Sequence, residues 1–578
     1  MANSKYEYVK SFEIEDQVML PNLILVLIDG RDFRRFSDIH DFEKPNDEKA
    51  LNLMNSCAIA VLEEFPDVVF SYGFNDEYSF VFKKETKFYQ RRARQSELNL
   101  LSLGSVECYS VKILSLVVSF FTSTYVTKWK EYFPQTELRF PPSFQSRVIV
   151  CASMEVLQAC LAWRQNDCHV KNLYNTCLWM LIKNGDTERE ARKILEDQFP
   201  HKQHKHELLF QRFGINYKKL PNMFRQGSCV LKTEMEDIVK YNDDGTPIKR
   251  LRRKVIVVHS ESIASRSFWN GHSYLLKDVG SFEDDINKIK PEYIKAFQFE
   301  HKLMPSTWIV VRIDGCHFHR FSEGHEFEKP NDGQALNLMN SCAVAVLEEF
   351  QDIVFSYGVS DEYSFVLKKD SQFYQSGIVS VIVSFFSSMY VMKWKDFFPQ
   401  KELKYHPYFD GRAVCYPSTV ILQDYLAWRQ VDCHINNQYN TCFWMLVKSG
   451  KSKREAQDSL KDTQAQEKNN LLVQQFGIDY QKLPVMFRQG SSVFWDKGDE
   501  AVTYNNGPHV KLQKKVVVEH CNIIEQSFWN AHPCILDEKQ ANGNLFFKQH
   551  GRWETLDLRF DTRICGCGRQ ATIKVVRV

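Results

Sequence analysis

Four aspartates stand where the chain could hold divalent cations. Asp29 closes a run of strand length, LILVLI from Leu23, and is followed by Gly30; Asp76 lies in the turn between two short strand-like segments, DVVFSYG and EYSFVF. Asp314-Gly315 and Asp361 repeat the arrangement further along. A carboxylate at the end of one strand and another in a hairpin turn can lie side by side on one sheet edge. With the carbonyl of a glycine that lets the chain approach closely, they form an oxygen-only ligand set suited to Mg²⁺. Two such ions serve an in-line attack on phosphorus, one easing formation of the attacking alkoxide and the other neutralising charge on the leaving phosphate. The same residues also have a plainer reading, because Asp-Gly after a strand makes a turn and Asp-Glu in a hairpin is often simply solvated.

Basic residues lie near this set. Lys44 and Lys329, in F-E-K-P-N-D at a helix entrance, can meet a triphosphate by charge and through the free N–H groups of the helix. Arg91 and Arg92, in KFYQRRAR, read either as a phosphate clamp or as a solvated charged face. His169 and His434, in DCHVKN and DCHINN, suit hydrogen-bonding core histidines.

The elements that must position these residues occur twice. FEKPNDEKALNLMNSCAIAVLEEF from Phe42 returns as FEKPNDGQALNLMNSCAVAVLEEF from Phe327, and LAWRQNDCHVKNLYNTCLWML from Leu161 returns as LAWRQVDCHINNQYNTCFWML from Leu426. PNMFRQGS with PVMFRQGS, and SFWNGH with SFWNAH, complete the pairing. Repeats this long are two copies of a domain rather than solenoid units. They divide the chain into a first copy (1–277), a charged linker (278–290), a second copy (291–541) and an atypical tail (542–578). Within each copy the order is strand, amphipathic helix, hairpin: after Pro45-Asn46-Asp47, apolar residues Leu51, Met54, Ala58, Val61 and Leu62 recur at helical spacing. This order predicts an α+β fold, an antiparallel sheet that helices such as Val111 to Lys130 cover on one face.

Composition narrows the function classes. Hydrophobic residues at 44% and charged residues at 25% exclude wholesale disorder. Lys and Arg total 74 against 72 Asp and Glu, so any polyanion site must be local. The apolar stretch Val111 to Val126 is interrupted by Ser115, Ser119, Thr122, Ser123 and Thr124, which suits a buried helix better than a membrane span. Sixteen scattered cysteines without a C-x-x-C pair argue against structural zinc and against a secreted disulfide framework, and the N-terminus does not read as a secretory signal. An intracellular protein with reduced thiols is expected.

DGRDFRRF, FEKPND, the S-D-E-Y-S-F hairpin, WRQ with DCHINN and YNT, and MFRQGS, in this order over almost all of each copy, resemble the tRNA-histidine guanylyltransferases. The resemblance implies two tandem polymerase-palm-like domains, each a ferredoxin-like antiparallel sheet plus helices. It implies adenylylation of the tRNA 5′ phosphate by ATP, then displacement of AMP by the 3′ hydroxyl of GTP, with two Mg²⁺ ions per site. Carried over, the metal ligands are Asp29, Gly30 and Asp76, and Asp314, Gly315 and Asp361, with Glu77 and Glu362 beside them as catalytic neighbours. The GTP-contacting positions are Asp29, Gly30, Arg31, Asp32, Phe33, Arg34, Lys44, Asn75 and Asp76, and Asp314, Gly315, Cys316, His317, Phe318, His319, Lys329, Ser360 and Asp361. Further tRNA or nucleotide positions are Arg92, His169, Lys205, His434, Asn437 and Lys468.

Both copies depart from the pattern. The first has Arg34, Asn75, Lys171 and His206 where the second has His319, Ser360, Asn436 and Asn469. The second has Cys316 in place of Arg31 and lacks a counterpart of Arg91 and Arg92. The second is expected to be the better preserved nucleotide site, and the first to serve tRNA binding or assembly. The alternatives are a catalytically impaired tRNA-binding scaffold, and a nucleotide cyclase, which the HINN-YNT and MFRQGS blocks disfavour. Tetrameric family members suggest that a tandem chain reaches four domains as a dimer. The run Lys249, Arg250, Arg252, Arg253 and Lys254 reads as a nuclear address, a tRNA contact or a solvated strand edge, which leaves nucleus and cytoplasm both open.

Overall fold

The computed structural model describes residues 5–12, 22–86, 110–241, 247–259, 262–282, 298–299, 303–369, 371, 377–504, 507–536, 545–549 and 552–556. Arg91 and Arg92, most of the linker and most of the tail lie outside them. Of the tail, Leu545–Gln549 and Arg552–Leu556 pair as a two-stranded hairpin.

In the first copy β1 (Leu23–Arg31), β2 (Val68–Phe74), β3 (Glu77–Phe82), β4 (Ser143–Cys151), β5 (Ser228–Tyr241) and β6 (Pro247–Val258) form one antiparallel sheet. A short β7 (Gln298–Phe299), from the start of the second copy, extends it to the order β6-β5-β2-β3-β1-β4-β7. The second copy's sheet contains β8 (Trp308–Gly315), β9 (Ile353–Val359), β10 (Glu362–Leu367), β11 (Phe409–Tyr416), β12 (Ser491–Tyr504) and β13 (Gly507–Glu519), in the order β11-β8-β10-β9-β12-β13.

Each sheet is covered on both faces rather than one. In the first copy α1 (Phe33–Ile39), α2 (Glu48–Glu64) and α3 (Ser110–Tyr132) pack with Ile24, Val26 and Ile28 on one face, while α4 (Met154–Lys183) packs with Leu23, Leu25 and Leu27 on the other. A central strand buried on both sides needs an unbroken apolar run, which LILVLI supplies. The second copy repeats this with α5 (Gly333–Glu349), α6 (Ile378–Met392) and α7 (Thr419–Lys448). Among the described residues no helix is long and apolar enough to cross a membrane. Of the residues that interrupt the apolar run in α3, Ser115, Ser119 and Thr122 face the other copy. Ser119 hydrogen-bonds Ser387 at 2.6 Å and Thr122 hydrogen-bonds Ser384 at 2.7 Å, a reciprocal pairing of α3 with α6.

The same hydroxyls close the sheet edges. Ser119 and Ser115 accept from the Phe409 and Gly411 amides of β11 at 2.8 and 3.0 Å, and Ser384 and Ser380 accept from the Phe144 and Ser146 amides of β4 at 2.8 and 2.9 Å. Unpaired strand edges are otherwise sites of association, and here each copy's helix covers the other's edge. The leading segments are exchanged as well: the turn Glu7–Phe12 buries Val9 in the second copy's core and sets Phe12 edge-on to Tyr416, while β7 pairs with Val148 and Ile149 of the first.

Candidate active site

In each copy the strand end and the hairpin turn meet as the sequence predicts. The Gly30 amide donates to the Asp76 carbonyl at 3.0 Å, and the Gly315 amide to the Asp361 carbonyl at the same distance. A Cβ at Gly30 would stand 2.8 Å from Asp76 Oδ2 and 2.3 Å from the Phe33 ring, and one at Gly315 would stand 2.9 Å from Asp361 Oδ2 and 2.4 Å from the Phe318 ring. Only glycine admits the carboxylate there. Asp29 pairs across strands with Glu77, and Asp314 with Glu362. Asn75 and Ser360, at φ of 50° and 55°, turn the hairpins, and Asp32 and His317, at 53° and 55°, turn the chain into the helix that carries Phe33 or Phe318.

The F-E-K-P-N-D motif is a helix entrance. Asp47 accepts from the Ala50 amide at 2.9 Å and Asp332 from Ala335 at 3.0 Å, each capping the following helix. Lys44 then reaches Ser37 at 2.5 Å and Asp38 at 3.1 Å, and Lys329 reaches Ser322 at 2.7 Å. In the first copy Lys44, Asp76, Phe33, Arg34 and Trp179 line a cavity of about 570 Å³. Across it Arg34 grips Glu188 through 2.6 and 2.8 Å contacts. His319, its counterpart, is exposed and lies 3.5 Å from Glu323.

Burial raises both aspartates of each pair. Asp76 is pushed up to about 7, by burial first and by Glu77 next, and Asp314 to about 7, by burial and then by Asp361, Asp410 and Glu362. Asp361 is also raised by burial. Asp29 is raised by burial too, but Arg147 and Arg164 oppose the shift. Buried carboxylates held this way gain from a cation, and Asp29 Oδ1 has no hydrogen-bond partner. Oxygen donors of this kind fit Mg²⁺. Among the described residues no three His, Cys, Asp or Glu side chains form a group that could hold a metal ion.

Sequence reasoning missed the cations around these acids. Arg164 of α4 contacts Glu77 at 2.5 Å and lies 3.8 Å from Asp29; Arg147 contacts Asp29 at 2.9 Å. Lys171 bridges Glu77 and Asp167 at 2.7 and 2.9 Å. In the second copy Arg429 holds Glu362 through two contacts of 2.7 and 3.0 Å, and Asn436 stands in place of Lys171. The R of the repeated W-R-Q was the available signal, since a buried arginine on a helix needs an acid. Glu77 and Glu362 are therefore held by arginines beside the aspartate pair.

Other carried-over positions make contacts within the protein. Arg31 pairs with Glu349 across the copies at 3.0 Å and stacks on Phe350, and the Cys316 amide donates to the Tyr408 carbonyl at 2.9 Å. Lys205 donates to the carbonyls of Phe199 and Pro200 at 2.6 and 3.1 Å, and Lys468 to that of Thr463 at 2.6 Å, so both ammonium groups hold helix entrances. Asn437 donates to Asn331 at 2.6 Å and so ties α7 to F-E-K-P-N-D. His169 and His434, half-buried against Tyr217 and Tyr480, are lowered by burial. Arg92 lies outside the described residues.

The family model described as tRNAHis guanylyltransferase matches residues 6–152 and 291–417, and the Thg1 C terminal domain matches 155–264 and 420–525. The chain is 64% identical to tRNA(His) guanylyltransferase 2 of Arabidopsis thaliana over 93% of its own length and 99% of that protein's. With tRNA(His) guanylyltransferase 1 of the same organism it shares 65% identity, over 93% and 91%. The crystal structure of the Saccharomyces cerevisiae enzyme superposes with a TM-score of 0.34 at 41% identity, covering 39% of this chain and 96% of that one. The chain belongs to the tRNA-histidine guanylyltransferase family of nucleotidyltransferases, with both family domains present twice.

Proposed function

We propose that the chain adds a guanosine nucleotide to the 5′ end of tRNA-histidine, activating the tRNA with ATP and then transferring GMP from GTP, and that the second copy performs the chemistry. Two Mg²⁺ ions, when bound, supply a lowered barrier to alkoxide formation and charge neutralisation at the leaving phosphate. The chain's own residues do the rest. Asp314 and Asp361, with the Gly315 carbonyl, hold the ions, and Arg429 fixes Glu362 beside them. Lys329, at the capped entrance of α5, offers charge to a triphosphate.

The observation that carries this assignment is the difference in protein cations. Asp29 is faced by Arg147 and Arg164, and Lys171 sits on its neighbour Glu77; the second copy keeps arginines, Arg429 and Arg312, at Glu362, but has Asn436 in place of Lys171. In the second copy, burial and three acidic neighbours raise Asp314, and among the leading influences Arg312 alone opposes them. A divalent cation gains more there. The first copy then supports tRNA binding and assembly, a role carried out in the nucleus or the cytoplasm, and a dimer of tandem chains presents four domains.

The test is transfer of label from GTP to 5′-monophosphorylated tRNA-histidine in the presence of ATP and Mg²⁺. Asp361→Ala is expected to lower transfer at least about 100-fold, as losing a metal ligand at a phosphoryl-transfer centre should, while Asp76→Ala keeps most of it. The reverse pattern assigns the chemistry to the first copy. No transfer by the parent chain, with tRNA still bound, supports the scaffold reading instead.

A further inference from the structure

Strand β11 places a third carboxylate beside the second copy's aspartates. Asp410 is the direct cross-strand partner of Asp314, on the same face of the sheet, where paired side chains stand about 5 Å apart at Cβ. It is buried to 8% relative exposure and belongs to none of the repeated blocks that carry the family resemblance. Its only cross-copy ion pair among the described residues is with Lys112, whose Nζ lies 2.6 Å from Asp410 Oδ2. Lys112 belongs to the first copy. It lies one turn before Ser115, the residue that closes the edge of β11 at Gly411, so the fastening of α3 against β11 also fixes where its ammonium group reaches.

The first copy has neither group. Gln145 occupies the position of Asp410, paired with Asp29, and Gly377 occupies that of Lys112. The two charges are thus present together or absent together, although they sit in different copies. Asp410 does not converge with Asp314 and Asp361 into a three-carboxylate cluster, which fits a side chain drawn toward the copy boundary.

We propose that Lys112 is a positioning residue that the first copy donates to the second copy's site: it draws Asp410 toward the copy boundary and offsets part of the charge that Asp410 places beside the Asp314 and Asp361 pair. The inference rests on reading Asp314 and Asp361 as the cation ligands, yet it can be tested without nucleotide transfer. Without Lys112, Asp410 is an uncompensated charge beside the pair and draws a divalent cation more strongly. Without Asp410, the Lys112 ammonium group loses this ion pair and repels the divalent cation. Removing both restores the balance the first copy has by sequence.

The measurement is Mn²⁺ binding followed by electron paramagnetic resonance, in the full chain carrying Asp76→Asn to remove the first copy's contribution. Lys112→Met is expected to lower the Mn²⁺ Kd on the order of threefold to tenfold, and Asp410→Asn to raise it by a similar factor, as expected for one unit charge a few ångströms from a dication at intermediate dielectric. The double variant is expected within about twofold of the parent, because each single change removes the other's target. A merely structural ion pair would shift both single variants in the same direction. That result, no shift in either, or a double variant that keeps a single variant's shift would each overturn the proposal. Failure of Asp361→Ala to affect nucleotide transfer would instead sink the assignment of chemistry to the second copy and leave this cycle readable.

Discussion

The two copies place the same aspartate pair on the same strand end and hairpin, and differ in what surrounds it. Around Asp29 the protein supplies Arg147 and Arg164, with Lys171 on Glu77; around Asp314 it keeps Arg429 and Arg312 on Glu362, has no counterpart of Lys171, and adds one further carboxylate, Asp410, answered by a lysine from the other copy. Backbone geometry has been kept in both, down to the 3.0 Å bond from each glycine amide. Charge has drifted. Under the assignment proposed above, the aspartate pair alone does not decide which copy works; the charges on neighbouring elements do.

The sharpest way to break the comparison is to separate the copies. The second copy alone, residues 291–541, loses the turn Glu7–Phe12 from its core and uncovers the β11 amides and the inner face of α6. We expect it to aggregate or remain partly unfolded, whereas co-expression with residues 1–290 restores a soluble complex. A monomeric second copy with a cooperative unfolding transition would show that the exchanged segments and helices are not required for folding.

A smaller effect tests the symmetry of that boundary. Ser119→Ala leaves the buried Phe409 amide without its acceptor, and Ser384→Ala does the same to Phe144. An unpaired buried amide costs about 1–3 kcal/mol. Both variants should lose this much in denaturant unfolding, and by similar amounts, since the hydrogen bonds are equal at 2.8 Å. A loss confined to one variant would mean that the boundary is held from one side.

Much of this was legible beforehand, and the remainder was hidden for identifiable reasons. The strand, helix and hairpin order followed from LILVLI, from the capped F-E-K-P-N-D entrance and from the turn at Asp76, because each is a local signal. Burial of α3 also followed, but its serines read only as interruptions of an apolar run; their use as edge caps depends on a partner far away in the chain. Expecting helices on one face undercounted them, although the apolar run of β1 implied two covered faces. Arg31 shows a second kind of hidden contact. Its place in a motif implied a GTP contact, and nothing local in the sequence pointed to the Glu349 and Phe350 contacts it makes at the copy boundary. Lys112 and Asp410 carried no motif at all.

Restoring one neighbour of the first copy's site sharpens the charge argument. Lys171→Asn installs the second copy's residue and frees Glu77 and Asp167 from a shared cation. Mn²⁺ binding to the first copy, measured in an Asp361→Asn background, should strengthen about tenfold at low salt, the scale of one removed unit charge. Unchanged affinity would mean that Arg147 and Arg164 suffice to keep the site closed to metal.

The smallest effect concerns pH, and it separates the copies by which carboxylate carries it. Asp76 in the first copy and Asp314 in the second are both pushed up to about 7 by burial. A carboxyl whose native pKa lies above its unfolded value of about 4 holds its proton more tightly when folded. Its contribution to stability is therefore complete below pH 4 and is lost as pH rises through about 7. For the metal-free chain, unfolding free energy should fall by up to about 1 kcal/mol per group between pH 6.5 and 8, and added Mg²⁺ should stabilise most at the upper end. Asp314→Asn should flatten the profile and Asp29→Asn much less, because Arg147 and Arg164 already oppose the rise at Asp29. Equal flattening by the two substitutions would place both strand-end aspartates in the same electrostatic environment, and the difference between the copies would then have to come from the hairpin side of the site.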